Sequence, residues 1–494
     1  MSVLDWFLVA VGLLAASWWA FAPRRGPAAF EVASGCALAL AVAALLVEGT
    51  QWQLLPWQTL GLVVAVLAGL RRRHRGRDLR GHPATADCGH PAGDRGRPDG
   101  ARRRVAWLSE RMLLLALVAI GAWALLWAFV PALPTPSGPY RVGTEVFHWT
   151  DTSRHQPWGP NISEYRQVVA QAWYPTATTQ GRMAPYFEDP GELPGMGGLP
   201  AFVFSGPFRN AATHGIVAAP ISKARSAWPV LLFSPGLELP REIYTGLCTA
   251  LASRGYVVVA LSSPYESAVT ELANGKVVES AFPSNPSETQ LHELVETRSA
   301  DASFALDELG RLSAIDPRSA LVGHLDLGHV GIFGHSLGGA SAIQATEEDP
   351  RFRVAVNLDG TLWGSQPSER LDRPFLWIES AERSSKEEKH DREQFLSGLQ
   401  AGGALVKITH SLHLSFTDEP SYLTSLGRIL LGDRERMGRR SLTTVATLTA
   451  ELVSVFVGPE LGVGHGATLD QVAAANRAAE IEREIAPGSA GGRP

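Results

Sequence analysis

The sequence predicts an α/β fold with a mostly parallel central sheet flanked by helices, preceded by an all-α transmembrane bundle. Two features of the chain lead to this prediction. After residue 136, short apolar runs alternate with helical patterns, and this alternation is typical of a parallel sheet. Before residue 136, the apolar runs are long enough for helices that cross the ~30 Å hydrocarbon core of a bilayer.

The composition supports a folded chain of several domains. Of the 494 residues, 45% are hydrophobic and 19% are charged, which excludes disorder throughout the chain. The net charge of −5 argues against nucleic acid as a partner. Three cysteines, Cys36, Cys88 and Cys248, cannot form a disulfide framework, and their spacing fits no zinc module. The sequence therefore predicts neither a metal nor an organic cofactor, and it leaves the oligomeric state open.

Residues 1–135 are predicted to form a membrane module. Its four predicted spans lie at about 3–22, 27–47, 54–70 and 112–130. Arginines follow the first span at positions 24 and 25, and the loop 71–111 holds twelve more against five carboxylates. The positive-inside rule places both segments in the cytoplasm. The chain after the fourth span is then expected on the non-cytoplasmic side.

Residues 136–486 are predicted to form the α/β domain, and residues 487–494 a disordered tail. The proline-rich segment 131–139 before the domain is expected to be a stiff, extended spacer. Buried strands are predicted at 228–234, 256–262, 330–334, 352–358, 374–378 and 404–409. Helices are predicted at 242–254, 296–312, 338–346 and 442–457.

A Gly-x-Ser-x-Gly motif joins a predicted strand to a predicted helix. Gly334, Ser336 and Gly338 follow the apolar run 330–333 and open the helix 338–346. This strand–turn–helix setting distinguishes a nucleophile elbow from a chance match. The glycines let the strand and the helix approach closely, and the strained turn exposes the serine oxygen. Ser336 is therefore the predicted nucleophile.

A serine hydroxyl needs a general base, and the base needs a carboxylate that orients it. After a nucleophile elbow, the carboxylate comes first along the chain and the histidine second. His413 and His410 both follow the last predicted central strand, and His413 is favoured as the base. Asp359 and Glu379 each follow a strand, and Asp359 is favoured because a glycine comes after it. Asp418 is expected to stabilise the loop that carries the histidine.

The oxyanion of an acyl-transfer intermediate needs backbone N–H donors that are already in place. One donor is expected from Leu337, directly after the nucleophile. The second is expected from the loop after the strand 228–234, where Pro235 has no N–H group. Leu237 is favoured for this role, and Gly236 is the alternative.

With these residues in place, the segment 140–460 resembles the platelet-activating factor acetylhydrolase family, of the plasma or isoform II type, within the α/β-hydrolases. The similar motifs are an opening hairpin at 142–154, Trp-Tyr-Pro at 173–175, the oxyanion strand and helix at 229–265, Leu-Asp-Gly at 358–360 and the histidine motif at 411–418. The resemblance implies an α/β-hydrolase fold and serine-esterase chemistry. It also favours Ser336, Asp359 and His413 over the alternatives. The chain departs from the animal enzymes at Pro235, where they have a histidine, and the four-span module is not part of the family's core.

The sequence thus predicts a membrane-anchored serine esterase, and the resemblance implies short-chain, sn-2 acetyl-type esters of phospholipids as its substrates. A general short-chain carboxylesterase or polyester hydrolase is the alternative, and a catalytically inactive, lipid-binding membrane sensor is a further one. The expected partners are the membrane and a lipid or small ester substrate. Many arginines beside few lysines suggest a genome rich in guanine and cytosine. The expected location is therefore a bacterial inner membrane, with the hydrolase domain on its non-cytoplasmic side.

Overall fold

The computed structural model describes residues 132–188, 208–209, 211–363, 371–382, 384–422, 441–464 and 466–487, and isolated residues between 59 and 120. The predicted spans at 3–22 and 27–47, the arginine-rich loop 71–111 and almost all of the predicted tail lie outside the described residues. In the other two predicted spans, the few described residues are helical. No helix in the described part of the chain is both long and apolar enough to cross a membrane.

The chain divides into two compact units, residues 1–130 with 199–210, and residues 131–198 with 211–494. The second unit contains every described strand, and it includes the proline-rich segment predicted to be a spacer. This segment packs on the unit, since Leu133 is buried and the N–H of Gly138 donates to Ser253 Oγ at 3.0 Å. It therefore forms part of the α/β unit.

A ten-stranded mixed sheet forms the centre of this unit. The strands in chain order are β1 (Arg141–His155), β2 (Tyr165–Thr176), β3 (Gly215–Val217), β4 (Trp228–Ser234), β5 (Val257–Ser262), β6 (Val269–Glu271), β7 (Val277–Glu279), β8 (Leu325–His335), β9 (Phe352–Leu358), β10 (Phe375–Glu379), β11 (Gly403–Ile408) and β12 (Ala479–Ile485). The order in the sheet is β12-β11-β10-β9-β8-β4-β5-β2-β1-β3, while β6 and β7 pair separately. The six strands from β11 to β5 are parallel, and β12 and β2 run antiparallel to them.

The helices follow the strands along the chain. They are α1 (Thr245–Ala252), α2 (Glu288–Gly310), α3 (Leu312–Ile315), α4 (Leu337–Glu348), α5 (Lys386–Ser397), α6 (Leu442–Val457) and α7 (Leu469–Ala475). Short 3-10 helices lie at Arg241–Tyr244, His413–Phe416 and Glu419–Ser421. Helix α2 packs with α4, and α1 packs with α6, so two pairs of helices cover the sheet.

This cover explains why the central strands are apolar throughout. Every residue of β4 and β5 is buried, as expected for parallel strands that have helices on both faces. Their side chains join residues of α2 and α4 in one core, which includes Leu232, Val259, Leu306 and Ile343. The parallel direction brings the carboxyl ends of β4, β8, β9 and β11 to the same edge of the sheet, where the functional loops begin.

Most predicted elements are present with small differences in their bounds. Strand β9 and helix α6 have the predicted bounds. The helix predicted at 296–312 begins earlier, at Glu288, because Ser287 and Gln290 form a capping box. The helix predicted at 242–254 begins as a 3-10 turn before α1. The edge strand β12 is absent from the prediction, although its sequence alternates between apolar and charged residues.

Candidate active site

Ser336 lies in the tight turn between β8 and α4. Its backbone has a φ of 56° and a ψ of −127°, a conformation that costs a residue other than glycine of order 1–3 kcal/mol. A Cβ at Gly334 would lie 2.0 Å from the carbonyl oxygen of Gly338, and a Cβ at Gly338 would lie 2.0 Å from that of Ser234. Both positions need glycine, so the geometry of the turn accounts for the Gly-x-Ser-x-Gly pattern.

Asp359 and His413 are hydrogen bonded to each other. Asp359 follows β9, and its Oδ2 atom lies 2.7 Å from Nδ1 of His413, which begins a 3-10 helix after β11. The other carboxyl oxygen, Oδ1, accepts the N–H of Ser380 at 2.6 Å. A carboxylate at Nδ1 favours the tautomer that has its hydrogen on Nδ1 and a lone pair on Nε2. This hydrogen bond therefore gives the imidazole the tautomer that a general base requires.

The two groups also set each other's charge. Burial raises the pKa of Asp359, but the hydrogen bond and charge of His413 outweigh it, so this pKa lies below the ordinary carboxyl value. Burial lowers the pKa of His413, but Asp359 and then the charge of Glu382 outweigh it, so this pKa lies above the ordinary imidazole value. An ionised Asp359 beside a histidine that can gain a proton suits general base catalysis.

Backbone contacts bring Ser336 next to these two residues. Its N–H donates at 2.9 Å to the carbonyl of Leu358, the residue before Asp359. The ring of His335, the residue before the serine, packs against the ring of His413 with centroids 4.5 Å apart. Across the described ranges, no hydrogen bond joins Ser336 Oγ to His413, and this bond is often long before a substrate binds. The structure thus brings the three predicted residues together and forms one of the two hydrogen bonds of a triad.

The alternative acid and base are placed less well for this chemistry. Both carboxyl oxygens of Glu379 form ion pairs, Oε2 with Arg392 at 2.5 Å and Oε1 with Lys407 at 2.9 Å. His410 is exposed in the turn after β11. Nδ1 of His413 is meanwhile bonded to Asp359. The geometry therefore favours Asp359 over Glu379, and His413 over His410.

Asp418 connects the histidine loop to the rest of the fold. Its buried carboxyl accepts the N–H of Gly246 at 3.1 Å and the hydroxyl of Tyr186 at 3.1 Å. Its own N–H donates to the carbonyl of Ile243 at 2.6 Å. Burial raises the pKa of Asp418 to about 8, in spite of these hydrogen bonds. These contacts fit the stabilising role predicted for this residue.

The backbone N–H groups of Leu237 and Leu337 are the two predicted oxyanion donors. In the part of the chain that the structure describes, neither N–H has a protein acceptor, whereas the N–H of Gly236 donates to the Tyr244 hydroxyl at 3.1 Å. Leu337 is the first residue of α4, where backbone N–H groups have no partner within the helix. The N–H groups of the two leucines, unlike that of Gly236, therefore remain available to a ligand.

A buried ion pair supports the loop after β4, and sequence reasoning missed it. Arg298 in α2 pairs with Glu266, and its Nε donates to Oε2 at 2.9 Å. The same guanidinium donates to the carbonyl of Pro235 and, through Nη2 at 3.2 Å, to that of Gly236. The two partners of the ion pair are 32 positions apart, so no local motif could reveal it.

An apolar cluster surrounds the two leucines. Leu337 packs with buried residues of α2 and α4, and half-buried side chains lie against them: Trp158, Leu237, Leu291 and Trp363. Trp158 also meets Phe282 edge to face, with ring centroids 5.0 Å apart. The half-buried members present apolar surface in the cluster that contains Leu337, the residue after Ser336, and such surface suits the acyl or alcohol part of an ester.

Sequence comparison finds similarity to one enzyme family. Residues 198–304 and 313–440 match the family model described as platelet-activating factor acetylhydrolase, isoform II. A protein of Arthroderma benhamiae named "Probable 1-alkyl-2-acetylglycerophosphocholine esterase" is 27% identical over 253 residues, which are 47% of this chain and 59% of that protein. The platelet-activating factor acetylhydrolase of Cavia porcellus is 28% identical over 40% of this chain and 50% of its own length, and that of Bos taurus is 31% identical over 31% and 40%. The chain thus spans between two fifths and three fifths of the length of these relatives.

A solved structure shares most of the fold. The ferulic acid esterase from Streptomyces cinnamoneus has a TM-score of 0.60 and 26% sequence identity, and the alignment covers 71% of this chain and 99% of that enzyme. The relatives and this neighbour support a serine ester hydrolase. With its mixed α/β sheet and its strand–serine–helix turn, this chain has an α/β-hydrolase fold, and it is similar to the platelet-activating factor acetylhydrolase, isoform II, family.

Proposed function

We propose that this chain is a serine ester hydrolase with Ser336, Asp359 and His413 as its catalytic triad. The observation that carries the proposal is the Asp359–His413 hydrogen bond of 2.7 Å beside a serine held in a strained strand-to-helix turn. The lowered pKa of the aspartate, the raised pKa of the histidine and two leucine N–H groups with no protein acceptor in the described chain also support the proposal.

In the proposed reaction, Ser336 Oγ attacks the ester carbonyl carbon and His413 Nε2 accepts the hydroxyl proton. Asp359 stabilises the imidazolium that forms. The N–H groups of Leu237 and Leu337 bind the negative oxygen of the tetrahedral intermediate. When the intermediate collapses, His413 returns the proton to the departing alcohol. Water, deprotonated by the same histidine, then releases the acid from the acyl-enzyme.

The proposed substrates are phospholipids that carry a short, acetyl-type acyl group at sn-2. The names of the relatives from Arthroderma benhamiae and Cavia porcellus support this class. The apolar surface at Trp158, Leu291 and Trp363 also fits a lipid ester. A general carboxylesterase is the second candidate, because the ferulic acid esterase aligns over 99% of its own length.

We also propose that residues 1–135 anchor the enzyme in a bacterial inner membrane through four helices, with the hydrolase domain on the non-cytoplasmic side. The four long apolar runs and the arginines after the first and third of them support this. A C-terminal alkaline phosphatase fusion, which is active only outside the cytoplasm, should be active. Activity of a reporter that works only in the cytoplasm would contradict the proposed orientation.

The function is tested with an acyl-chain-length profile on sn-2 esters of phosphocholine lipids, with p-nitrophenyl acetate in parallel. The full chain should release acetyl and other short acyl groups, and Ser336→Ala should release none. Turnover of p-nitrophenyl acetate without turnover of phospholipid would favour the general carboxylesterase. A chain that is inactive on both substrates and is not labelled by a fluorophosphonate would contradict an esterase and favour an inactive lipid-binding protein.

A further inference from the structure

A chain of buried hydrogen bonds connects the oxyanion loop to the loop of the proposed base. Tyr244 is fully buried at the end of a 3-10 helix. Its hydroxyl oxygen lies 3.1 Å from the nitrogen of Gly236 and 2.8 Å from Nδ1 of His335. The other ring nitrogen of His335, Nε2, lies 3.0 Å from the carbonyl oxygen of His413. The reaction steps described above use neither the tyrosine nor His335.

One arrangement of hydrogens satisfies all three contacts. Burial lowers the pKa of His335 to about 3, so the ring is neutral near pH 7 and has a single N–H. Nε2 faces a carbonyl oxygen, which can only accept, so Nε2 carries the hydrogen and Nδ1 accepts. The Tyr244 hydroxyl therefore donates to Nδ1, and its oxygen accepts the N–H of Gly236. The direction of every hydrogen bond in the chain is thereby determined.

Tyr244, at one end of this series of hydrogen bonds, controls the peptide unit that carries the proposed oxyanion donor. The carbonyl of Gly236 and the N–H of Leu237 belong to one planar trans peptide unit, so they point in opposite directions. Arg298 donates to that carbonyl, and Tyr244 accepts the N–H on the other side of Gly236. The orientation of the Leu237 N–H therefore depends on both side chains.

His335, at the other end of this series of hydrogen bonds, controls the position of the proposed base, His413. His335 immediately precedes Ser336, and its ring packs against His413, with centroids 4.5 Å apart, and against Phe416, with centroids 5.8 Å apart. The same ring donates to the His413 carbonyl. A displacement of His335 would therefore move the base relative to the nucleophile.

We propose that Tyr244 and His335 are positioning residues of the esterase. Their hydrogen-bonded bridge holds the oxyanion donor Leu237 and the base His413 in a fixed arrangement around Ser336. The inference rests on the function proposed above. Because the bridge sets the geometry of groups that act in the transition state, its loss lowers kcat and leaves KM nearly unchanged.

The test compares Tyr244→Phe with Tyr174→Phe in the full chain. Tyr174 is the matched control, because its buried hydroxyl donates to the carbonyl of Ala219 at 2.9 Å, outside these loops. For p-nitrophenyl acetate, kcat should fall about tenfold to a hundredfold in Tyr244→Phe, with KM within about twofold, and neither should change in Tyr174→Phe. The rate constant for inactivation by a fluorophosphonate should fall in parallel, because the phosphonyl oxygen uses the same donors.

Two variants of His335 test the other end of the bridge. The amide N–H of His335→Gln can reach the position of Nε2 and donate to the His413 carbonyl, whereas His335→Phe has no donor. We therefore expect His335→Gln to retain more of the wild-type kcat than His335→Phe. If His335 acted through stability alone, the kcat of each variant would fall only in proportion to its folded fraction. Thermal unfolding measures that fraction.

The outcomes separate the bridge from the function on which it rests. An active wild type and an inactive Ser336→Ala, together with an unchanged kcat in Tyr244→Phe, would overturn the bridge and leave the esterase in place. An equal loss in Tyr174→Phe would also overturn the bridge. A wild type that is inactive and is not labelled by the fluorophosphonate would overturn both proposals.

Discussion

Asp359, whose side chain is 13% exposed, and Asp418, which is buried, lie on loops that meet around His413, and their pKa values shift in opposite directions. Asp359 has one partner, His413, that can become a cation, and one backbone donor, Ser380. The donors to Asp418 include the N–H of Gly246 and the hydroxyl of Tyr186, and these are neutral. Burial raises the pKa of both carboxyls, and only the aspartate with the ionisable partner ends below the ordinary value.

Burial raises the pKa of both carboxyls, so the partner that can become a cation accounts for the low pKa of Asp359. Neutral hydrogen bonds leave Asp418 with a pKa of about 8, so the protonated form predominates at pH 7. Asp359 is ionised at the same pH. One carboxyl can therefore stabilise a positive imidazolium, while the other holds two segments of the chain together.

The largest effect is expected from Asp359→Asn. An amide at this position can hold the imidazole with the hydrogen on the wrong nitrogen and cannot stabilise the imidazolium, so kcat should fall about 10³- to 10⁴-fold. The matched control is Glu379→Gln, which changes the acid at the end of β10 and should leave kcat within about twofold. Steady-state kinetics on p-nitrophenyl acetate measure both.

Circular dichroism should show that both variants keep the fold, because each replacement has nearly the same shape as the acid. A large loss of kcat in Glu379→Gln, with near wild-type activity in Asp359→Asn, would reverse the assignment of the orienting acid. The low pKa of Asp359 would then have no role in catalysis, and only the structural role of Asp418 would remain from the comparison.

A smaller effect, on stability, is expected from Asp418→Asn. The folded chain binds the Asp418 proton more tightly than the unfolded chain does, so this group stabilises the fold fully below about pH 4. That stabilisation is lost as the pH rises to about 8, at up to about 1.4 kcal/mol per pH unit. The free energy of unfolding of the wild type should therefore fall from pH 5 to pH 8 relative to that of the variant, which cannot titrate here.

Urea unfolding, followed by tryptophan fluorescence at pH 5 and pH 8, measures this difference for both proteins. At pH 7, kcat of Asp418→Asn should remain within a few-fold of the wild type, because the amide can still accept the Gly246 N–H. Parallel pH dependences in the two proteins would show that Asp418 is ionised in the fold, like Asp359.

The smallest effect is expected from Glu382→Gln. After burial and Asp359, the charge of Glu382 is the next influence on the pKa of His413, and it raises that pKa. Because His413 must be neutral to accept a proton, kcat/KM should fall as the pH drops through a value above the ordinary ~6.5 of histidine. Removal of the charge should move the acidic limb of the kcat/KM profile to lower pH by about half a unit or less, since Glu382 is exposed to screening water.

The pH dependence of kcat/KM between pH 5 and 9 measures this shift. Glu387→Gln, an exposed acid in the first turn of α5, serves as the control and should leave the limb in place. A limb that moves to higher pH in Glu382→Gln would mean that His413 is not the group titrating.

The buried centre of the fold was accessible from sequence, whereas its edges were less so. Strands such as β4 and β9 are continuous apolar runs, so their positions follow from composition. The edge strand β12 has one exposed face and alternates every second residue, a weaker signal near the chain end. The early start of α2 lies in a polar segment, where only the Ser287–Gln290 capping box marks it.

In the candidate site, too, the sequence indicates some features and not others. Ser336, Asp359 and His413 each follow a predicted strand and belong to a recognisable motif, so the sequence could predict them as candidates, with Glu379 and His410 as alternatives. The contacts that position them join distant residues, such as Tyr244 and His335, which are 91 positions apart. No periodicity or spacing encodes a hydrogen bond between two loops, so three-dimensional structure is needed to find it.

The left-handed turn at Ser336 also bears on how the sequence can change over evolutionary time. Glycine adopts a φ of 56° without the 1–3 kcal/mol or so that serine loses there, although its own backbone entropy offsets roughly 0.5–1 kcal/mol of the gain. Folded domains commonly have a margin of only about 5–15 kcal/mol. In a lineage that no longer needed the hydroxyl, selection for stability alone would therefore favour glycine at this position. A serine that persists in this turn is maintained by selection for something other than stability.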